Sequence, residues 1–274
     1  MAGTLFDLKV LIRGGGEMAS GIAHRLHQAR LNVLITEIEA PTAVRRTVAF
    51  AEAAYDGSHT IEGVTAVRVV DLDGARAQWE NGNIPLLIDP GARIGAGLEP
   101  EVVVDAIMAK RDSDTRIADA PLVIGIGPGF TAGVNAHAVI ESNRGYNLGR
   151  VIWSGSAEPD TGVPAPVAGH TEARVLRAPR KGRFNALRKI GDVVERGETV
   201  AEVEGSPVTA EIAGMVRGML KSGVTIRAGV KVGDIDPRGQ REYCYSISDK
   251  ARAIGGGVLE AILHSLERLK APSR

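Results

Sequence analysis

Lys9-Val10-Leu11-Ile12-Arg13-Gly14-Gly15-Gly16-Glu17-Met18-Ala19-Ser20-Gly21 is the stretch on which the reading of this chain turns. Its first five residues form a short buried strand and its glycines a turn. Met18, Ile22 and Leu26 then recur at a spacing of four, which puts them on one face of a helix. Val33-Leu34-Ile35-Thr36 follows as a second strand and ends on Glu37. Strand, glycine turn, helix, strand, acid is the order of a dinucleotide-binding βαβ unit. In such a unit glycines let the backbone approach a pyrophosphate at the helix N-terminus, and the acid meets a ribose hydroxyl. Gly14, Gly16 and Ala19 hold the fingerprint positions, with Arg13, Gly15 and Glu17 beside them as candidate cofactor-binding residues. The bland reading of the same residues is an α/β packing unit whose glycines only permit a tight turn.

Outward from this unit the pattern repeats. Val64 to Val70 reads as a strand, Leu72 to Glu80 as a short helix, and Ile84 to Ile88 as a buried strand stopping at Asp89. Val102 to Ile107 is a further strand carrying Asp105. In open parallel sheets ligands gather at the carboxyl ends of strands, which makes Asp89 and Asp105 candidates for the same crevice, or plain turn residues. Val44, Val48 and Ala51 share a helical face beside Arg45 and Arg46, a pair that suits either a ribose phosphate or a solvated surface. Pro121 to Ile126 feeds a second glycine turn, Gly127-Pro128-Gly129-Phe130-Thr131-Ala132-Gly133. A helix is predicted to follow, with its first amides and Thr131 forming an anion nest. His137 and Glu141, four apart, would face one side of that helix and could relay a proton; a metal would need a third donor that the sequence does not supply.

The second half changes character. Gly155 to Pro166 is a proline- and glycine-rich linker, and residues 166–240 hold short apolar segments separated by glycines, an all-β module. Ile190 to Glu198 and Ala210 to Arg217 resemble strands of a biotinyl- or lipoyl-type barrel-sandwich domain. A carrier domain needs a lysine on the hairpin, whereas Glu204-Gly205-Ser206-Pro207 stands there and no lysine occurs from Val193 to Met219. The module reads as a binding or assembly surface. Residues 241–274 return to helix through a third glycine cluster, Gly255-Gly256-Gly257, expected to bring Asp249, Lys250 and Arg252 towards the crevice. Cys244 could accept sulfur or selenium, or be a small buried hydrophobe. The fold class is therefore α/β: a Rossmann-like, mostly parallel sheet domain over residues 1–165, the barrel-sandwich module over 166–240, and a C-terminal strand and helix over 241–274 packing back on the first domain.

Composition narrows the function. Lys+Arg and Asp+Glu balance at 33 each among 274 residues, and aromatics make up 4%, which argues against a nucleic-acid binder. One cysteine excludes a disulfide framework and suits a reducing, cytoplasmic setting; no apolar run reaches membrane-spanning length, and the N-terminus lacks a signal-peptide pattern.

Several runs resemble a known family. Arg13 to Glu17, His24 to His27, Glu37 to Thr42, Arg45 to Val48, Gly127 to Gly133, Gly233 to Gly239 and Ser248 to Glu260 are together similar to the YqeB family of the selenium-dependent molybdenum hydroxylase system. The resemblance covers nearly the whole chain. It implies an accessory factor that matures molybdenum hydroxylases and binds a phosphorylated cofactor, a molybdopterin or a nucleotide. In that reading the three glycine loops hold phosphates, Arg13, Lys250 or Arg252 neutralise them, and Cys244, His137 and Lys250 are the catalytic candidates, with selenium or sulfur carried by Cys244 or an external donor. The partners implied are the hydroxylase or other maturation proteins, and a second copy of the chain. Two positions depart from the family pattern: Asn135 stands where an acid is expected and Tyr146 where a histidine is expected. The alternatives are an NAD(P)-dependent oxidoreductase with Glu37 on the ribose, and a non-catalytic scaffold for hydroxylase assembly.

Overall fold

The computed structural model describes residues 7–108 and 113–270, which form two compact units. The first comprises residues up to Pro41, Phe50–Asp160 and Ile247 onward; the second comprises Thr42–Ala49 and Thr161–Ser246.

The first unit is α/β. Its elements are β1 (Lys9–Arg13), α1 (Glu17–Gln28), β2 (Asn32–Glu37), α2 (Ala53–Asp56), β3 (Ser58–Ile61), β4 (Val64–Val69), α3 (Leu72–Glu80), β5 (Ile84–Ile88), α4 (Gly95–Leu98), β6 (Val102–Asp105), β7 (Leu122–Ile126), β8 (Thr131–Ala132), β9 (Ala138–Ile140), β10 (Val151–Ile152), β11 (Gly155–Ser156), and, from the C-terminal part, α5 (Asp249–His264) and α6 (Leu266–Lys270). Nine strands form one sheet in the order β10-β9-β7-β6-β1-β2-β5-β4-β3. The pairs from β4 through β9 are parallel, and only the edge strands β3 and β10 are antiparallel to their neighbours. The inner strands are apolar almost throughout because both faces are covered. Leu11, Leu34, Leu87, Val103 and Val123 share one core, while the alternate residues Val10, Ile12 and Ile35 are equally buried on the opposite face.

The C-terminal helix α5 packs along α1. A Cβ on Gly21 would stand 2.7 Å from Ala251 Cβ, and one on Gly255 2.9 Å from Gly21 O, so the backbones touch where side chains are missing. Residues 17 to 25 of α1 meet 250 to 255 of α5 in ascending order, so both helices start at the carboxyl edge of the sheet. The third glycine cluster is thus not a loop before a helix, as the sequence predicts. It lies inside α5, whose start is Ser248, with Ser248 Oγ accepting from Ala251 N. Alanine and leucine on either side sustain the helix, and the glycines supply the close approach.

A second expectation also changes. No helix follows Gly127-Pro128-Gly129: Thr131–Ala132 and Ala138–Ile140 are short strands, because the apolar run 138–140 is used to extend the sheet beside β7. His137 and Glu141 consequently do not share a helix face.

The second unit contains β12 (Val175–Arg177), β13 (Gly182–Ala186), β14 (Val193–Val194), β15 (Thr199–Val203), β16 (Ser206–Thr209), β17 (Gly214–Met219), β18 (Thr225–Ile226) and β19 (Lys231–Asp236). They form two four-stranded antiparallel sheets, β12-β19-β17-β14 and β16-β15-β13-β18, which share one core containing Phe184, Val200, Val216 and Ile235. Residues 42–49 join this unit and form a 3₁₀ turn at Arg46–Val48, not the regular helix predicted. Val44 O accepts from Met219 N and Arg46 Nε donates to Met219 O; Gly218 leaves room for Val44. Arg45 is buried and donates to the carbonyls of Tyr243 and Ser246, so it is not the solvated residue of the bland reading, whereas Arg46 is half-buried. The Gly233-to-Gly239 motif is β19 and its exit. Its Asp234, fully buried, receives Arg174, Arg217 and Lys231, and Asp236 receives Arg238.

Candidate functional site

Gly14 takes φ +91°, which only glycine adopts without strain, and its amide donates to Thr36 O. Gly15 N donates to Glu37 Oε2 at 2.7 Å, and the other carboxylate oxygen accepts from Ile38 N. The acid at the end of β2 therefore holds the glycine loop itself. Its burial raises its pKa above the ordinary glutamate value, against the pull of the two amides. Phe50 and Ala51 lie over the same loop: Ala51 N donates to Gly15 O, and Phe50 N donates to Ser20 Oγ. Gly16, by contrast, is open on its side-chain position among the described residues. It is the N-cap of α1 and offers no side-chain acceptor, so the first amides of that helix lack an intrahelical partner.

The second glycine turn reaches the same edge of the sheet. A Cβ on Gly14 would meet Ile107 and one on Gly127 would meet Ser142, with Met108 close by, so the ends of β1, β6, β7 and β9 adjoin. Gly127 N donates to Ile140 O, Phe130 is buried against Gly125, and Asn135 bridges Thr131 N and Gly129 O through its carboxamide. Asn135, where the family resemblance leads one to expect an acid, both accepts and donates; a carboxylate could not make the second bond. Pro128 to Thr131 are thus tied down by the chain, and Thr131 Oγ1 meets Ser156 Oγ.

Arg13 does not project into a crevice. Its guanidinium donates to Thr115 Oγ1 and Asp114 Oδ1 and stands 3.7 Å from buried Asp105. Asp89 caps a turn by accepting from Ile94 N. Arg252 is bound bidentately by Glu62, and Asp249 by Arg144. His137 Nδ1 accepts from Val123 N, a structural bond. Cys244 is buried at the end of a 3₁₀ turn in the second unit, and burial raises its pKa, the opposite of the exposed thiolate that sulfur or selenium transfer uses.

Lys250 behaves differently. It is half-buried in the first turn of α5 and has no hydrogen bond or ion pair among the described residues. Burial, followed by the Arg144 guanidinium, holds its ammonium below the usual lysine value, while Glu17, Glu141 and Asp160 act in the other direction. Of the candidates named from sequence, Gly16, Glu17 and Lys250 are brought together; the glycines of α5 are not part of the group.

Sequence reasoning missed Glu141 as an organiser. It is 2% exposed, and its carboxylate accepts from Asn143 N at 2.6 Å and Glu158 N at 2.7 Å. It also lines a cleft of about 460 Å³ with Arg150, Trp153 and Glu158. The available signal was an aromatic residue in the polar run Trp153-Ser154-Gly155-Ser156 of a chain that has few aromatics.

The arrangement defines a mostly parallel α/β unit with a polar cleft beside its edge strand β10, carried on one chain with an antiparallel β unit. No family model matches the chain. It is 50% identical over 254 residues to the uncharacterized protein YqeB of Escherichia coli strain K12, and is a YqeB relative, as its motifs indicate. The match covers 93% of this chain and 47% of that protein, so the chain spans about half the length of its relative. Among solved structures, an aspartoacylase family protein from Mesorhizobium loti aligns at 13% identity and TM-score 0.27, over 84% of this chain and 85% of that one. The ectoine utilization protein EutE from Ruegeria pomeroyi aligns at 14% and 0.25, over 84% and 85%. At such scores the likeness carries no argument.

Proposed function

We propose that the first unit binds a phosphate-bearing small molecule, a molybdopterin-type cofactor or a nucleotide, and that the chain serves as an accessory factor in maturing selenium-dependent molybdenum hydroxylases. The observation that carries the ligand class is Lys250: a half-buried ammonium with no hydrogen bond or ion pair among the described residues, near Glu17 and the start of α1, where Gly16 supplies no side-chain cap. Helix-start amides and a nearby lysine ammonium suit a phosphate group. Strand order adds support, since in β5-β2-β1-β6-β7-β9 the order reverses about β1, as it does in a Rossmann-like sheet. The hydroxylase assignment rests on the family resemblance, as does any role for selenium or sulfur; the cytoplasmic setting rests on the single cysteine. The two facing sheets of the second unit suit a barrel-sandwich of biotinyl or lipoyl type. Its hairpin turn is Glu204-Gly205, so the unit serves as a docking surface for the hydroxylase and not as a swinging arm.

Calorimetry with pyrophosphate, GTP and molybdopterin-type cofactors tests this reading. Binding is expected for the parent chain and should weaken by about tenfold to a hundredfold in Lys250→Met, the range of one charge-assisted hydrogen bond. It should also weaken as pH rises through the lysine's lowered pKa, before the ordinary 10.5 is reached. Absence of heat with every one of these probes removes the proposal.

A further inference from the structure

Beside the Lys250 group lies a cleft that the phosphate reading leaves unused. It runs along the edge strand β10 and is lined by Asn147, Arg150, Trp153 and Glu158, with buried Glu141 at its base. About 460 Å³ is room for a single- or double-ring ligand.

Its walls are fixed. Glu141 ties the backbone of Asn143 to that of Glu158. The Glu158 carboxylate is then oriented by two side-chain amides, Asn143 Nδ2 at 2.7 Å on one oxygen and Asn147 Nδ2 at 2.9 Å on the other. Each oxygen keeps a lone pair for a further donor. Trp153 is backed by His264, with ring centroids 4.5 Å apart and tilted by 37°, and still leaves 41% of its surface exposed. Arg150 has no hydrogen bond or ion pair from its guanidinium among the described residues. Arg150 and Glu158, opposite charges on one cleft, thus form no ion pair with each other among the described residues, and Trp153 lies between them in sequence. Such a trio asks for a planar ring whose edge offers adjacent N–H donors next to acceptors.

We infer that this cleft takes the heteroaromatic end of the ligand, specifically a ring with a 2-amino-4-oxo-pyrimidine edge, the chemistry that guanine and pterin share. The ring N–H and exocyclic amino group donate to Glu158, the carbonyl and neighbouring ring nitrogen accept from the Arg150 fork, and the ring stacks on Trp153. Adenine presents the reverse pattern: a ring nitrogen lone pair would face the carboxylate. The inference rests on the phosphate reading only for the identity of the whole ligand, because Glu141, which lines the cleft, also acts on Lys250.

Calorimetry with unphosphorylated probes separates the two ideas. Guanosine and pterin should bind the full chain and adenosine should bind at least about tenfold more weakly, because a mismatched edge leaves polar groups unpaired. Trp153→Ala should lower guanosine affinity by about tenfold, the scale of one stacking contact, and Glu158→Gln should erase the preference over adenosine. Both positions are exposed, and pyrophosphate binding should persist in both variants. Guanosine binding without pterin binding, or the reverse, identifies the source of the edge and supports the site. Equal binding of adenosine and guanosine, or no change in Trp153→Ala, overturns the inference. Pyrophosphate binding with no nucleoside or pterin binding also overturns it, while leaving the phosphate reading standing.

Discussion

Arg13 and Asp105 end adjacent parallel strands in register, and their side chains, 6% and 1% exposed, face each other at 3.7 Å. This is the place where the strand order reverses about β1, the usual seat of a ligand in an open α/β sheet. Here the chain fills it with its own groups. Asp105 accepts from Thr115 Oγ1, Ser113 Oγ and Ile107 N, and Arg13 continues to Asp114 and Thr115. The proposed ligand is therefore placed away from this point, towards Gly16, Lys250 and the β10 edge.

Removing Asp105 leaves the buried Arg13 guanidinium, among the described residues, with only the exposed carboxylate of Asp114. Asp105→Ala should lower stability by about 3–5 kcal/mol in urea unfolding. The double variant Arg13→Met with Asp105→Leu should recover much of that loss. If the single variant unfolds at the parent's midpoint, the pair does not hold the strand ends together.

Glycines within α5 should differ sharply by position. Gly255→Ala places a methyl 2.9 Å from Gly21 O, whereas Gly256 has nothing within 4 Å. Overpacking costs about 1–3 kcal/mol, which exceeds the helix-propensity gain of alanine, about 1 kcal/mol. Gly255→Ala should therefore destabilise and Gly256→Ala stabilise. Thermal melts of the two variants showing the same sign of change would rule out a backbone contact between α1 and α5.

Glu37 should make stability depend on pH in a defined direction. Burial raises its pKa above 4.5 in the folded state, so its contribution is complete below 4.5 and is lost as pH climbs through the raised value. Glu37→Gln keeps an acceptor for Gly15 N and no charge. Its stability relative to the parent should improve as pH rises above 4.5, and its affinity for pyrophosphate should increase. A stability difference that is flat with pH would show that the carboxylate is not held as described.

Cys244 should be chemically silent in the folded chain. It has no exposed surface, its Sγ donates weakly to Val216 O at 3.7 Å, and burial raises its pKa. Alkylation by iodoacetamide at neutral pH should run at least about a hundredfold slower in the native protein than in the denatured one, since it waits on local opening. Rapid native labelling would restore the thiol as a candidate for sulfur or selenium chemistry.

The amino-acid order by itself determined the strands and helix of 9–37, the helix 72–80, and the change to an antiparallel β unit near residue 160, because each rests on local periodicity and on glycines required by the turn. Long-range packing decided the rest. Whether Ala138-Val139-Ile140 becomes helix or strand depends on the free edge of β7, which no local pattern reveals. Gly255-Gly256-Gly257 reads as a turn until Gly21 is placed against it. Arg13 and Arg252 look like phosphate ligands until Asp105 and Glu62, distant along the chain, neutralise them. A charge's role is set by which opposite charge or empty space the tertiary structure puts beside it. That is why Lys250 kept its place as a candidate and most of the other named cations did not.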